Sequence, residues 1–144
     1  MKSFNWHNLL RGHPVFSSLT EEEIAHLLRD EISQEHVYSQ DMVILKEGDV
    51  SESVFLISSG SVQVVLWGTS GPLMPLAVLQ AGEIFGEMAV LEHRPRTATV
   101  VSREQCVLLE IVGAEINTLL ETHPEIQVKL YTLVRDRLRQ ARRR

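Results

Sequence analysis

The chain has 144 residues, 44% of them apolar and 23% charged, with a formal net charge of −5. That is enough for one well-buried core and short for two, so a single globular domain is expected. The apolar stretches are short, and the run GPLMPLAVL from Gly71 is interrupted by Pro72 and Pro75, which excludes a bilayer-spanning helix. Met1 to Leu10 has neither the basic cluster nor the apolar core of a signal peptide, and a soluble, cytoplasmic protein is expected. The single cysteine, Cys106, excludes an intramolecular disulfide, and its apolar surroundings point to burial rather than reactivity.

The charge is unevenly distributed. Residues 1–128 carry 7 Lys/Arg against 18 Asp/Glu, a balance of −11, and residues 129–144 carry 7 against 1, a balance of +6. So acidic a body repels nucleic acid, and no direct nucleic-acid binding is expected. The terminal RQARRR reads as a solvated helix end favoured by the macrodipole, or as a junction with further chain, ahead of a contact with acidic surfaces.

In chain order, residues 1–31 read as helical. An amphipathic turn from Phe4 to Leu10 ends near Gly12 and Pro14. Phe16 and Leu19 lead into a second helix, where LTEEEIAHLL sets Thr20 and Glu23 at capping-box spacing and puts Ile24, Leu27 and Leu28 on one face. Over residues 32–112 the period changes. MVILKEGD, SVFLISSGSVQVVLW, LMPLAVLQAGE, TATVVS and CVLLEIV are short runs rich in Val, Ile and Leu, with glycines at 48, 60, 68, 71 and 82. They predict seven or eight antiparallel strands. The expected fold class is mainly β with flanking helices: an antiparallel jelly-roll barrel, not a doubly wound α/β sheet.

Residues 113–144 return to helix. GAEINTLLETHPE gives a short helix stopped near Pro124, and IQVKLYTLVRDRLRQ a longer one with Ile126, Leu130, Leu133, Val134, Arg137 and Leu138 at helical spacing. That stripe must cover something. Its own barrel, a bound ligand and the partner in a homodimer all remain open at this level.

FGEMAVLEHRPRTATV, Phe85 to Val100, is the stretch that carries chemistry. With a strand ending at Phe85 and a short helix from Glu87 to Leu91, Gly86 lets a ligand approach the backbone. The amides of Glu87 to Ala89 then face an anion. Arg96, returning after Pro95, brings a planar fork of donors to the same anion. Glu87 is suited to accept from a sugar hydroxyl and to pair with Arg96 or Arg94. The ligand so described carries a phosphate and a hydroxyl close together.

These residues resemble the phosphate-binding cassette of cyclic nucleotide-binding domains, in which F-G-E, a short apolar helix and P-R-(A/S/T)-A-(T/S) follow in this order and spacing. ILKEGD (Ile44 to Asp49) and VFLISSGSVQV (Val54 to Val64) resemble the family's strands around Gly48 and Gly60. With the order helix, barrel, helix, the likeness covers nearly the whole chain, as one domain with its cassette at 85–100. The resemblance implies that Glu87 holds the ribose 2′-hydroxyl and Arg96 the cyclic phosphate. It adds Phe85 and the backbone of Gly86, Met88, Ala89 and Ala98 as contacts, with Thr97 as a hydroxyl donor. Val78 and Leu79 are expected against the purine, with Tyr131 and Arg135 on the capping helix. Cyclic AMP is the first expectation as ligand, and Thr97 raises cyclic GMP as the alternative. Gln40-Asp41 stands where many members carry a turn glycine.

Other chemistries find little support. The six histidines, at 7, 13, 26, 36, 93 and 123, show no paired metal spacing. Ser58, Ser59 and Ser61 lack a nucleophile-elbow setting, and no nucleophile with a matched base lies beside the cassette, so no enzyme, cofactor or metal is expected. The expected role is a regulatory sensor whose C-terminal helices close over the nucleotide and act on an effector domain or protein. The alternatives are the sensory fragment of a transcription factor or of a nucleotide-gated channel, and a degenerate domain that only contacts proteins.

Overall fold

The structure, a computed structural model, describes residues 2–68 and 71–142, with side chains described except over 67–74 and 138–142. The side chains of Leu138 and of the arginine-rich tail therefore lie outside the described ones. Two helices, α1 (Trp6–Gly12) and α2 (Glu21–Leu27), precede the strands. These are β1 (Ser33–Tyr38), β2 (Val43–Leu45), β3 (Ser53–Ser59), β4 (Ser61–Gly68), β5 (Gly71–Gln80) and β6 (Ile84–Phe85). Helix α3 (Glu87–Glu92), strands β7 (Thr99–Ser102) and β8 (Cys106–Val112), and helices α4 (Gly113–Thr122) and α5 (Pro124–Arg142) complete the order.

The strands form two four-stranded sheets, ordered β1-β8-β3-β6 and β2-β7-β4-β5, with every pairing antiparallel. The result is the expected antiparallel jelly roll, built as two four-stranded sheets rather than one closed barrel. The centre of the first sheet, along β3 and β8, is covered on both faces. Val54, Leu56, Leu109 and Ile111 join Trp6, Leu10, Phe16, Ile24, Ile116, Ile126 and Leu130 from the helices in one core cluster. Their alternate neighbours Phe55, Ile57, Cys106 and Leu108 pack with Val62, Leu79 and Val100 of the second sheet. A strand covered on both sides has no polar face to show, hence the unbroken apolar run Val54–Ile57. Phe55 and Phe85 stack across the β3–β6 pair with ring centroids 5.0 Å apart.

Local signals fix the corners. Thr20 and Glu23 complete the capping box reciprocally at the start of α2. At Gly60 the chain leaves one sheet for the other with φ +85°, and a Cβ there would fall 2.3 Å from the Gln105 carbonyl oxygen. Asp41 takes φ 65° in the turn before β2, the left-handed conformation for which glycine is the usual choice and which aspartate tolerates. Pro72 and Pro75 do not end β5. It is an edge strand, where a missing N–H costs no ladder bond, and its register against β4 shifts twice.

Candidate functional site

The cassette begins where β6 ends. Gly86 sits at φ +87°, and a Cβ on it would meet Arg96 Nη1 at 2.9 Å and the Ser53 carbonyl at 3.0 Å. Both backbone conformation and space therefore require glycine here. Helix α3 starts immediately after, so the amides of its first turn have no intrahelical acceptor. The loop that leads into β7 is lashed to the loop before β3: Arg96 N–H donates to the Asp49 carbonyl at 2.9 Å, and Gly48 N–H to the Arg96 carbonyl at 2.8 Å.

This backbone bridge puts the Arg96 side chain inside the protein, where the residue is only 4% exposed. Nε donates to Ser51 Oγ at 3.0 Å, Nη1 to the Gly86 carbonyl at 2.9 Å, and Nη2 to the Ser53 carbonyl at 3.0 Å and its Oγ at 3.3 Å. Every one of these acceptors is neutral. Burial pulls the guanidinium below the usual arginine range, and the carboxylates of Glu110, Glu87, Asp49 and Glu52 act against that.

Glu87 opens α3 and is likewise buried. Its partner is neither Arg96 nor Arg94, as the sequence suggested, but Arg137 of α5, whose Nη1 donates to Glu87 Oε1 at 2.9 Å. Arg94 lies exposed in the loop after α3. Arg137 Nη2 also donates to the Ile84 carbonyl, and its Nε is buried without a partner. Burial pushes the Glu87 carboxyl up, while Arg137, the Glu87 amide and Arg96 draw it back.

Between the second sheet, the cassette and α5 lies a cavity of about 200 Å³. Leu45, Val64, Ala77, Leu79 and Val100 give it an apolar floor; Phe85, Gly86, Glu87, Met88, Ala89, Arg96, Thr97 and Ala98 form its wall; Val134 and Arg137 reach in from α5. All eight cassette candidates and Leu79 thus line one space. Three other candidates do not. Val78 alternates to the other face of β5 from Ala77 and Leu79, while Leu76 reaches the cavity beside the register shift. Tyr131 and Arg135 lie on the outer side of α5, in a shallow groove with Pro124, Gln127, Val128 and Thr132. Burying Ile126 and Leu130 fixes the rotation of the helix, and at 3.6 residues per turn that turns Val134 and Arg137 inward instead. Arg137 had a legible signal, a charged residue at a position of the apolar stripe.

Among the described residues no group of three His, Cys, Asp or Glu side chains is arranged to hold a metal ion. Five of the six histidines contact glutamates instead. No described helix is long and apolar enough to cross a membrane.

Known proteins resemble this chain in sequence and fold. The family described as "Cyclic nucleotide-binding domain" matches residues 35–123. The cyclic AMP receptor protein of Thermus thermophilus is 32% identical over 132 residues, covering 92% of this chain and 60% of its own. A cGMP-dependent protein kinase of Drosophila melanogaster is 32% identical over 108 residues, covering 72% of this chain and 14% of its own. Among solved structures, the catabolite activator protein of Thermus thermophilus superposes with a TM-score of 0.72 at 32% identity, covering 89% of this chain and 59% of that one. The chain belongs to the cyclic nucleotide-binding domain family. It spans about three-fifths of the length of the Thermus receptor protein and a smaller part of the kinase.

Proposed function

We propose that this chain is the sensing domain of a regulatory protein and binds a cyclic nucleotide in the cavity beneath α5, with cyclic AMP as the first ligand and cyclic GMP as the alternative. One observation carries this reading: the buried guanidinium of Arg96, held only by neutral acceptors, lies against Gly86 and the open amides of α3 on the wall of an apolar cavity. A cyclic phosphate supplies the missing anion, and the apolar floor suits a purine. The relatives named for cyclic AMP and cGMP support the same class of ligand.

Glu87 is the acceptor for the ribose hydroxyl, and Arg137 already holds it. The cavity of about 200 Å³ is smaller than the roughly 300–1,000 Å³ usual for ligand sites. Ligand entry therefore requires α5 to shift and Arg137 to share or release Glu87. This differential contact turns binding into a signal, because it biases the position of the C-terminal helix between two states. The recipient is an effector domain or partner protein reached through α5, in a cytoplasmic protein that acts by binding rather than by catalysis.

Calorimetric titration with cyclic AMP and cyclic GMP, after unfolding and refolding to strip any carried ligand, tests the reading. Arg96→Ala is expected to cost about 2–5 kcal/mol of binding, enough to move a micromolar affinity out of range. Failure of the refolded wild type to bind either nucleotide would overturn it.

A further inference from the structure

Behind Arg96, on the side away from the cavity, a polar chain crosses three neighbouring strands. Arg96 Nη2 reaches Ser53 Oγ at 3.3 Å, the Ser53 hydroxyl donates to Glu110 Oε2 at 2.6 Å, and His36 Nε2 meets Glu110 Oε1 at 2.8 Å. The register explains the line. In β8, Glu110 is a diagonal neighbour both of His36, which pairs with Leu108, and of Ser53, which pairs with Val112. Ser53 is buried, and the side chain of Glu110 is 36% exposed, at the rim of a shallow groove that also holds Ser51 and Glu52.

Of the other carboxylates near Arg96, Glu87 is taken by Arg137 and Glu52 meets His93; Glu110 also meets a histidine, His36, but its other oxygen accepts from the Ser53 hydroxyl that Arg96 reaches. Asp49 joins the Arg96 bridge through its backbone. A buried cation with only neutral partners is costly without a counter-charge nearby. We propose that Glu110, acting through the Ser53 hydroxyl, is the counter-charge of Arg96 while the cavity is empty, and that an incoming phosphate takes over this role against the repulsion of Glu110. This rests on the cyclic nucleotide reading of the cavity. Glu110 then has two opposed effects: it stabilises the ligand-free protein and weakens its grip on the anion, so the empty state remains populated for signalling.

Glu110→Gln keeps the shape and a hydrogen-bonding oxygen for Ser53 but removes the charge. The ligand-free variant is expected to melt lower than wild type, while its affinity for cyclic AMP rises about three- to tenfold, the scale of one screened charge–charge contact. Binding of adenosine, which has no phosphate, stays unchanged. In a double-mutant cycle on ligand-free thermal stability, Glu110→Gln and Arg96→Met are expected to couple. If Glu110→Gln does not fold, Ser53→Ala and Ser53→Thr carry the same test, with alanine lowering stability and raising cyclic AMP affinity and threonine, which keeps the hydroxyl, restoring both. Weaker cyclic AMP binding in Glu110→Gln, an equal change for adenosine, or no coupling to Arg96 would overturn the proposal. A wild type that binds no nucleotide removes the phosphate exchange together with the functional reading, and the coupling alone then decides the counter-charge.

Discussion

Replacing Arg137 by methionine separates the two charges that meet under α5. The side chains of Arg137 and Glu87 are 19% and 5% exposed, and removing one partner of a buried pair costs about 3–5 kcal/mol, because the other charge stays behind. Against this, the variant also removes the orphaned Nε, a relief of about 1–3 kcal/mol. The net loss near neutral pH is therefore about 2 kcal/mol, or roughly 4–8 °C in Tm at about 2–4 °C per kcal/mol for a chain of this size. Burial already raises the Glu87 carboxyl, and losing Arg137 raises it further. A carboxyl raised in the folded state destabilises when ionised, so the deficit shrinks as pH falls and Glu87 takes up a proton. Thermal melts of wild type and Arg137→Met from pH 5 to 8 measure both effects. A deficit independent of pH, or none at all, refutes the assignment of Arg137 as the charge that keeps Glu87 ionised.

Gly86→Ala forces a Cβ to 2.9 Å from Arg96 Nη1 at φ +87°; it should cost at least about 1 kcal/mol in urea unfolding and weaken cyclic AMP binding, and a neutral outcome contradicts the packing of the cassette. At Glu35 burial pushes the carboxyl up, but hydrogen bonds from Phe4 N–H, Trp6 Nε1 and both Ser3 donors outweigh it and bring it down to about 2. Its stabilisation is present above the unfolded value of 4.5 and lost as pH falls towards about 2. In a Trp67→Phe background, Trp6 fluorescence should report this acid transition, and Glu35→Gln should remove its pH dependence. His123 places Nε2 2.6 Å from Glu23 and Nδ1 3.1 Å from Glu125, so only the imidazolium donates to both. The hydrogen bond to Glu23 chiefly raises its pKa. This stabilisation is complete below the unfolded value of 6.5 and declines as pH rises through the higher folded value. His123→Ala should flatten the fall in stability from pH 6.5 to 8, and an unchanged slope speaks against the link between α2 and α5.

The cassette could be read from the chain because its parts are contiguous: glycine, helix start and returning arginine fall within Gly86 to Ala98, and local geometry brings them together. The capping box at Thr20 was legible for the same reason. What holds Arg96 from behind was not. Ser53 lies 43 residues before it and Glu110 lies 57 after Ser53, and only the strand register makes them neighbours. The inward face of α5 was legible, since Ile126, Leu130, Val134 and Arg137 share one stripe; the partner of Arg137 was not, because Glu87 lies 50 residues away, and the family likeness pointed to Tyr131 and Arg135, which that stripe turns outward.

An amide NMR titration with cyclic AMP tests residue by residue whether the cavity beneath α5 takes a cyclic nucleotide through the cassette. Binding there predicts saturable shifts at Gly86 to Ala89 and Arg96 to Ala98, accompanied by shifts around Val134 and Arg137, and their loss in Arg96→Ala. Saturable shifts confined to the outer groove of Tyr131 and Arg135, or no shifts with either cyclic nucleotide, would contradict it.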